Sequence, residues 1–158
     1  MAMYSLTKEP YAVRLLTEEE ISEAHSLIWQ VFSEYDSPLY SNDGTEEFKK
    51  SLQDEEYLAG IEYYGAFDGK TLAGVVGIRG EKQHICFFFV KGDYHRKGIG
   101  TRLFRHLRSV YPRGTITVNA SPCGLPFYKA QGFTPTDKEQ TLNGIRFTPM
   151  KYSGGEET

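Results

Sequence analysis

The sequence predicts one α/β domain built on a mixed sheet, and three observations predict it. An unbroken apolar run, Ile85 to Val90, is too short for a membrane span and has the length and aromatic content of a strand buried on both faces. Beyond Gly98, the residues Ile99, Leu103, Phe104, Leu107 and Val110 recur at helical spacing, with Arg102, Arg105 and Arg108 on the other side, so the chain turns near Gly92 into an amphipathic helix. A β-branched run, Thr115 to Asn119, follows that helix, and a strand–helix–strand crossover makes its two strands parallel. A chain of 158 residues buries about two-thirds of its unfolded surface in one core. One domain over 1–158 is therefore expected, with 1–10 and 153–158 as frayed termini.

Tyr11 to Leu16 reads as the first strand. Thr17 with Glu20 makes a capping box that opens a helix through Ile21, Leu27, Ile28, Val31 and Phe32, fading near Asp36-Ser37-Pro38. Asn42-Asp43-Gly44-Thr45 supplies turn and cap residues for a second helix, Glu46 to Gln53. Glu62 to Phe67 and Thr71 to Ile78 flank the hairpin signal Asp68-Gly69, and a turn near Gly80 leads antiparallel into the apolar strand. Gly74 and Gly77 in the middle strand predict a bulge or a close approach. Pro126 lacks an amide donor, so the last helix starts near Leu125 with the proline in its first turn and Gly132 as a left-handed C-cap. Phe133 to Pro135 and Ile145 to Tyr152 close the sheet around Asn143-Gly144. The predicted order is strand, two helices, three strands, helix, strand, helix, two strands.

Between the apolar strand and its helix, His95-Arg96-Lys97-Gly98-Ile99-Gly100 offers small residues and free amides at a helix N-terminus, where unpaired N–H groups and partial positive charge accept a phosphate. A P-loop would need Gly-Lys-Ser/Thr, which is missing. A dinucleotide fingerprint would need a third glycine where Leu103 stands and an acidic residue about 20 positions on, and neither is present. A bare strand-to-helix turn explains a lone glycine pair, but this pair is not alone. From Phe87 to Phe104 the segment resembles the acetyl-coenzyme A motif of the GNAT N-acetyltransferase superfamily, commonly Gln/Arg-x-x-Gly-x-Gly/Ala after the fourth strand, with His95 where Gln or Arg is usual. Downstream, Asn119 and Phe127-Tyr128-Lys129-Ala130-Gln131-Gly132-Phe133 resemble the family's Asn followed by Tyr-x-x-x-Gly-Phe. With the flanking strands the resemblance runs from Ala12 to Tyr152.

The resemblance implies the GNAT fold and acetyl-coenzyme A as donor. The expected binding residues are Phe88, Phe89 and Val90 at the end of the fourth strand, the turn His95, Arg96, Lys97, Gly98, Ile99, Gly100 and Thr101, and Asn119 and Lys129. It also implies transfer of the acetyl group to a primary amine of a small molecule, peptide or protein by direct attack in a ternary complex. Tyr128 matches the usual general acid; a phenol of ordinary pKa near 10 stays protonated at neutral pH and can donate to the departing thiolate. The competing reading is a core tyrosine beside Phe127 and Phe133. An alkyl ammonium of pKa near 10.4 must lose a proton before attack. His84, 11 residues before His95, stands at the spacing where some histone-acetylating members carry a catalytic glutamate. A structural histidine bonded to a backbone carbonyl competes with that role, and Glu62 or water are the alternative bases. No metal is implied. In this family the two-helix region borders the acceptor site, so Trp29, Phe32, Tyr35 and Tyr40 are candidates for its walls. Asp36, Asp43, Glu46 and Glu47 would favour a cationic acceptor unless they are scattered surface carboxylates.

The net charge of −3 hides an asymmetry. From Lys91 to Arg113 seven Lys/Arg meet one acid, giving +6, while the remaining 11 basic and 20 acidic residues give −9. Such an island suits the phosphates of coenzyme A. It would also attract nucleic acid, but it ends with the helix and has no basic tail or finger spacing, which argues against that partner. Residues 1–10 lack a signal pattern, no run approaches transmembrane length, and Cys86 and Cys123 are too few for a disulfide framework. A soluble cytoplasmic protein is expected, with no membrane partner and with a homodimer left open. The classes that compete with the enzyme are a non-catalytic coenzyme A-binding module of the same fold and a small nucleic-acid binder.

Overall fold

In the computed structural model the described residues are 11–154, so the expected fraying of 1–10, and of the tail beyond 154, lies outside them. Strands β1 (Ala12–Leu15), β2 (Ile61–Asp68), β3 (Thr71–Arg79) and β4 (His84–Val90) pair antiparallel in chain order. β5 (Ile116–Ala120) then joins β4 in parallel after the crossover through helix α4 (Ile99–Val110). β8 (Ile145–Tyr152) lies beside β5 and carries both the two-residue β6 (Thr134–Pro135) and β7 (Gln140–Leu142). The sheet order is β1-β2-β3-β4-β5-β8-β6, with β7 off that path.

Helices cover both faces. On one, Ile99, Leu103, Phe104 and Leu107 of α4 and Tyr128 of α5 (Leu125–Gln131) pack on Ala73, Val76, Ile78, Ile85, Ile116 and Val118. On the other, Ala24, Leu27, Ile28 and Val31 of α1 (Ile21–Val31) pack on Tyr63, Leu72, Val75 and Phe87. β3 is therefore buried from Leu72 through Ile78, which is why it reads as a continuous apolar run rather than an alternation. The capping box at Thr17 is present, with its amide donating to Glu20 Oε1 at 2.8 Å.

The structure differs from the sequence reading in four places. The first helix runs to Asp36 as expected, but its last five residues, Phe32–Asp36, form a π turn, followed by a 3-10 turn, Ser37–Leu39, where Pro38 sits harmlessly in the first turn. α2 spans Asn42–Ser51 rather than starting at Glu46, because Ser41 is the cap and its Oγ accepts from Gly44 N. A third short helix, α3 (Glu55–Leu58), is capped by Asp54, whose Oδ1 accepts from the Glu56 and Tyr57 amides at 3.1 Å each. Finally, Asn143-Gly144 links β7 to β8, not the Phe133–Pro135 segment to β8. Both turn residues have positive φ, 53° and 84°, as a tight hairpin requires.

Candidate active site

β4 and β5 pair only at His84↔Thr117 and Ile85↔Val118. Beyond that point β4 continues to Val90 and β5 to Ala120 along different neighbours, β3 and β8. The gap opens a cavity of about 930 Å3. A bulge helps to shape it: Gly77 faces Phe87 and Ile78 faces Ile85, leaving Cys86 as the extra residue on β4. The expected irregularity at Gly77 is thus real, and it re-aims the strand so that Phe88 and Val90 pack toward α4 while Phe87 and Phe89 pack toward α1 and α2.

Of the residues singled out from the sequence, His84, Phe88, Phe89, Val90, His95, Asn119 and Tyr128 all line this one cavity. Arg96, Lys97, Gly98, Ile99, Gly100, Thr101 and Lys129 do not. The Ile99 side chain is buried in the core, and Thr101 Oγ1 accepts from Gln131 Nε2 at 3.0 Å, so what these two positions can offer a ligand is chiefly their amides. Gly98 is left-handed at φ 81° and a Cβ there would have no atom within 4 Å, so the space above the α4 N-terminus is open. Arg96, also left-handed at φ 64°, helps to fold the same turn. Gly100 is small for a different reason: a Cβ would meet Phe127 at 2.9 Å, so packing against α5 excludes a side chain there.

His95 occupies the unexpected position in the motif, and its Nε2–H donates to Val90 O at 2.7 Å while its ring leans on Tyr35 at 4.9 Å. The imidazole thereby ties the turn to the end of β4. His84 Nδ1 shares a 2.8 Å hydrogen bond with Thr117 Oγ1, so its partner is a side chain across the parallel pair rather than a backbone carbonyl. Burial first, then the charges of Arg79 and Lys82, hold its pKa below the ordinary 6.5 and keep the ring neutral at neutral pH. Glu62 is absent from the cavity lining, and its Oε1 accepts from Tyr111 at 2.8 Å and from Tyr64 at 3.4 Å.

Tyr128 is 6% exposed, with edge-to-face contacts to Phe88, Phe127 and Phe133. The core-tyrosine and cavity-tyrosine readings are both satisfied, because the ring packs in the core while the residue lines the cavity. Burial, and after it the charge of Asp36, push its phenol well above the ordinary 10, so it remains a proton donor.

Of the aromatics between α1 and α2, Phe32, Tyr35 and Tyr40 line the cavity as expected, but Trp29 does not; it stacks on Phe32 at 5.8 Å. Phe48 lies flat on Phe32 at 3.8 Å and 4°. Among the four acids, Asp36 and Glu47 line the cavity and Asp43 and Glu46 do not. Asp36 is 6% exposed, not a surface carboxylate. It hydrogen-bonds Cys123 and Ser121, two cavity residues from the β5–α5 connection that sequence reasoning passed over. Leu142, Asn143, Ile145 and Phe147 of the β7–β8 hairpin complete this wall and were equally unforeseen. The hairpin tip sits on α2 where Gly144 meets Gly44, so closely that a Cβ on Gly44 would lie 2.1 Å from Gly144 O. Tyr40 donates to Arg146 O at 3.2 Å and Arg146 to Leu39 O at 3.3 Å, fastening the same contact.

Among the described residues no helix is long and apolar enough to cross a membrane. The chain matches the family described as acetyltransferase (GNAT) domain over residues 36–153. Among solved structures it is similar to a GCN5-related N-acetyltransferase from Rhodopseudomonas palustris, with 21% identity, TM-score 0.78, and coverage of 92% of this chain and 96% of that one. It is also similar to the PaiA N-acetyltransferase of Thermoplasma acidophilum in complex with coenzyme A, with 18% identity, TM-score 0.70, and coverage of 92% and 99%. A third is the apo form of YjaB from Escherichia coli, with 19% identity, TM-score 0.71, and coverage of 90% and 97%. No curated protein matches the chain at a significant level. The family match spans most of the sequence and the structures share the whole fold, so the chain belongs to the GNAT acetyltransferase family.

Proposed function

We propose that the protein is an acetyl-coenzyme A-dependent N-acetyltransferase that delivers the acetyl group to a primary amine by direct attack in a ternary complex. The observation that carries this reading is the splay of β4 from β5, which leaves the backbone at Phe88–Val90, the Tyr128 phenol and the His84 imidazole on one cavity. The open space over Gly98 and the first-turn amides of α4, flanked by Arg96 and Lys97, suit the pyrophosphate of coenzyme A. When bound, the donor supplies a thioester, an acyl group already activated for transfer.

The residues of this chain then have three tasks. A backbone amide near Val90 stabilises the oxygen of the thioester carbonyl as it gains charge. His84, kept neutral by burial, takes the proton that the acceptor nitrogen must lose, directly or through water. Tyr128 gives its proton to the leaving sulfur. Direct transfer is favoured over an acyl-cysteine intermediate because burial raises the pKa of the Cys86 thiol, and partial desolvation together with the Asp36 charge raises that of the more exposed Cys123, leaving both weakly nucleophilic.

The test is release of free thiol from acetyl-coenzyme A in the presence of a panel of primary amines and short peptides. Acceptor-dependent release is the expected result. Binding of coenzyme A without release for any acceptor would instead identify a non-catalytic binding module, and binding of nucleic acid with the steep salt dependence of phosphate contacts would favour the third class.

A further inference from the structure

We propose that Asp36 is the anchor for the acceptor's ammonium group, and that the acceptor is a primary amine carried on an aromatic or apolar body. The inference rests on the acetyltransferase reading and narrows it to a substrate class.

Burying a carboxylate is strongly unfavourable unless a positive charge or several hydrogen bonds accompany it. Asp36 is 6% exposed, yet the groups that interact with its carboxylate are neutral, the Ser121 hydroxyl and the Cys123 thiol, and the thiol also donates to Tyr35 O at 3.1 Å. Among the described residues the ion pairs are Arg14 with Glu20 and Arg146 with Glu139, and Asp36 belongs to neither. Arg146 is committed elsewhere, with Nε on Glu139 at 2.8 Å and a second nitrogen on Leu39 O. The titratable groups that feel the Asp36 charge, Tyr40, Cys123 and Tyr128, are all neutral acids whose ionisation it suppresses. Burial raises the Asp36 pKa, and Lys50, which also lines the cavity, is exposed and belongs to neither ion pair, so an ammonium brought by a ligand is the partner that would hold the carboxylate ionised.

The local backbone explains how the carboxylate comes to be there. The π turn adds a residue to the helical repeat at Phe32–Asp36, and Phe32 and Asp36 both turn inward while Glu34 and Tyr35 between them are exposed. The rings of Phe32, Tyr40 and Phe48 lie beside the site, with Phe32 and Tyr40 centroids 5.5 Å apart. Aromatic faces attract an organic ammonium, strongly so when it is desolvated. A hard divalent ion is a poor match, since it asks for six or more oxygen ligands where this site offers one carboxylate among rings. Anchoring is a binding role, and the proton leaves by the route proposed for His84.

The experiment uses calorimetry at pH 7.5 with 2-phenylethylamine and its neutral isostere 2-phenylethanol, on the full chain with coenzyme A bound. Wild type is expected to prefer the amine by about tenfold or more, the discrimination a charged hydrogen-bonded pair provides. Asp36→Asn is expected to bind both compounds alike while keeping its coenzyme A affinity and raising the KM for the amine in thiol release. Equal wild-type affinity for the two compounds overturns the proposal without any variant, as does a folded Asp36→Asn that keeps the preference. Thiol release with a glycyl peptide or spermidine, but not with 2-phenylethylamine, would leave the acetyltransferase reading standing and overturn the acceptor class. Failure of wild type to bind coenzyme A or release thiol with any amine would instead remove the reading beneath it.

Discussion

At the turn from β4 into α4, a ligand meets backbone amides of a helix start and the exposed side chains of Arg96 and Lys97. Beside it, where Tyr35 of the π turn meets the His95 ring at 4.9 Å, the ligand meets a buried carboxylate and the rings of Phe32, Tyr40 and Phe48. The first region is cationic, solvated and largely made of main chain; the second is desolvated, made of side chains, and holds a carboxyl whose pKa burial raises. A main-chain site tolerates exchange of most side chains and fails only when its space or field is altered, as the presence of His95 in place of Gln or Arg illustrates. A side-chain site changes its ligand with each substitution. The difference teaches why the end proposed for the donor carries a legible motif and the end proposed for the acceptor does not.

The largest expected effect tests the main-chain end. Gly98→Asp should lower coenzyme A affinity by roughly a hundredfold or more, because a carboxylate would enter the open space above the α4 N-terminus and repel phosphate. Gly98→Asn, similar in size and tolerant of a left-handed backbone, should lose far less. Calorimetry on both variants measures the contrast, and equal losses would show that shape rather than field governs the turn. Gly100 is unsuited to this test, since any side chain there displaces Phe127.

The next effect lies where the two ends meet. Tyr128→Phe should lower turnover by about ten- to a thousandfold with coenzyme A affinity nearly unchanged, because the hydroxyl acts only as the thiolate forms. Unchanged turnover with chemistry rate-limiting would reduce Tyr128 to its packing role.

His84 should lower turnover by about a hundredfold when changed to alanine, and it should also change the pH profile. Its folded pKa is depressed by burial and by Arg79 and Lys82, so wild-type turnover should rise with pH through a value below 6.5 and then level off. His84→Ala should lose that limb. The same shift makes the unfolded chain bind more protons than the folded one below pH 6.5. The stability contributed by the neutral ring is therefore complete above that pH and lost as pH falls through the folded pKa. His25, half-buried and bonded to Tyr63 Oη at 2.8 Å, acts in the same direction, so melting temperatures of wild type and both alanine variants across pH 5–7.5 apportion the effect.

The smallest effect concerns the closure of the acceptor wall. In Gly44→Ala the new Cβ collides with Gly144, which should destabilise the fold by about 1–3 kcal/mol and lower the melting temperature by several degrees. Acceptor KM should rise while coenzyme A affinity holds, since the hairpin touches only the side-chain end. A matching fall in coenzyme A affinity would show that the two ends are coupled through β4.

What the sequence determined by itself is local in origin. Periodicity gave α1 and α4 their faces, the Thr17–Glu20 pair started the first helix, and Gly132 marked a left-handed position that the structure bears out at φ 107°. The alternation of hairpin signals with one crossover was enough to order β2 to β5, because short connections leave few topologies open, whereas the pairing of β1 with β2 came from the structure. The π turn, the α2 start at Asn42 and the β7–β8 hairpin were less legible, since each depends on a contact distant in sequence. Ser41 and Gly44 meet the hairpin tip at Gly144, about 100 residues away, and no window of neighbouring residues records that approach. Only the tertiary structure decided that Asp36 is buried and Glu62 lies outside the cavity. A carboxylate has the same local propensity in either setting, and its chemistry follows from solvent and charge contributed by segments that folding brings alongside it.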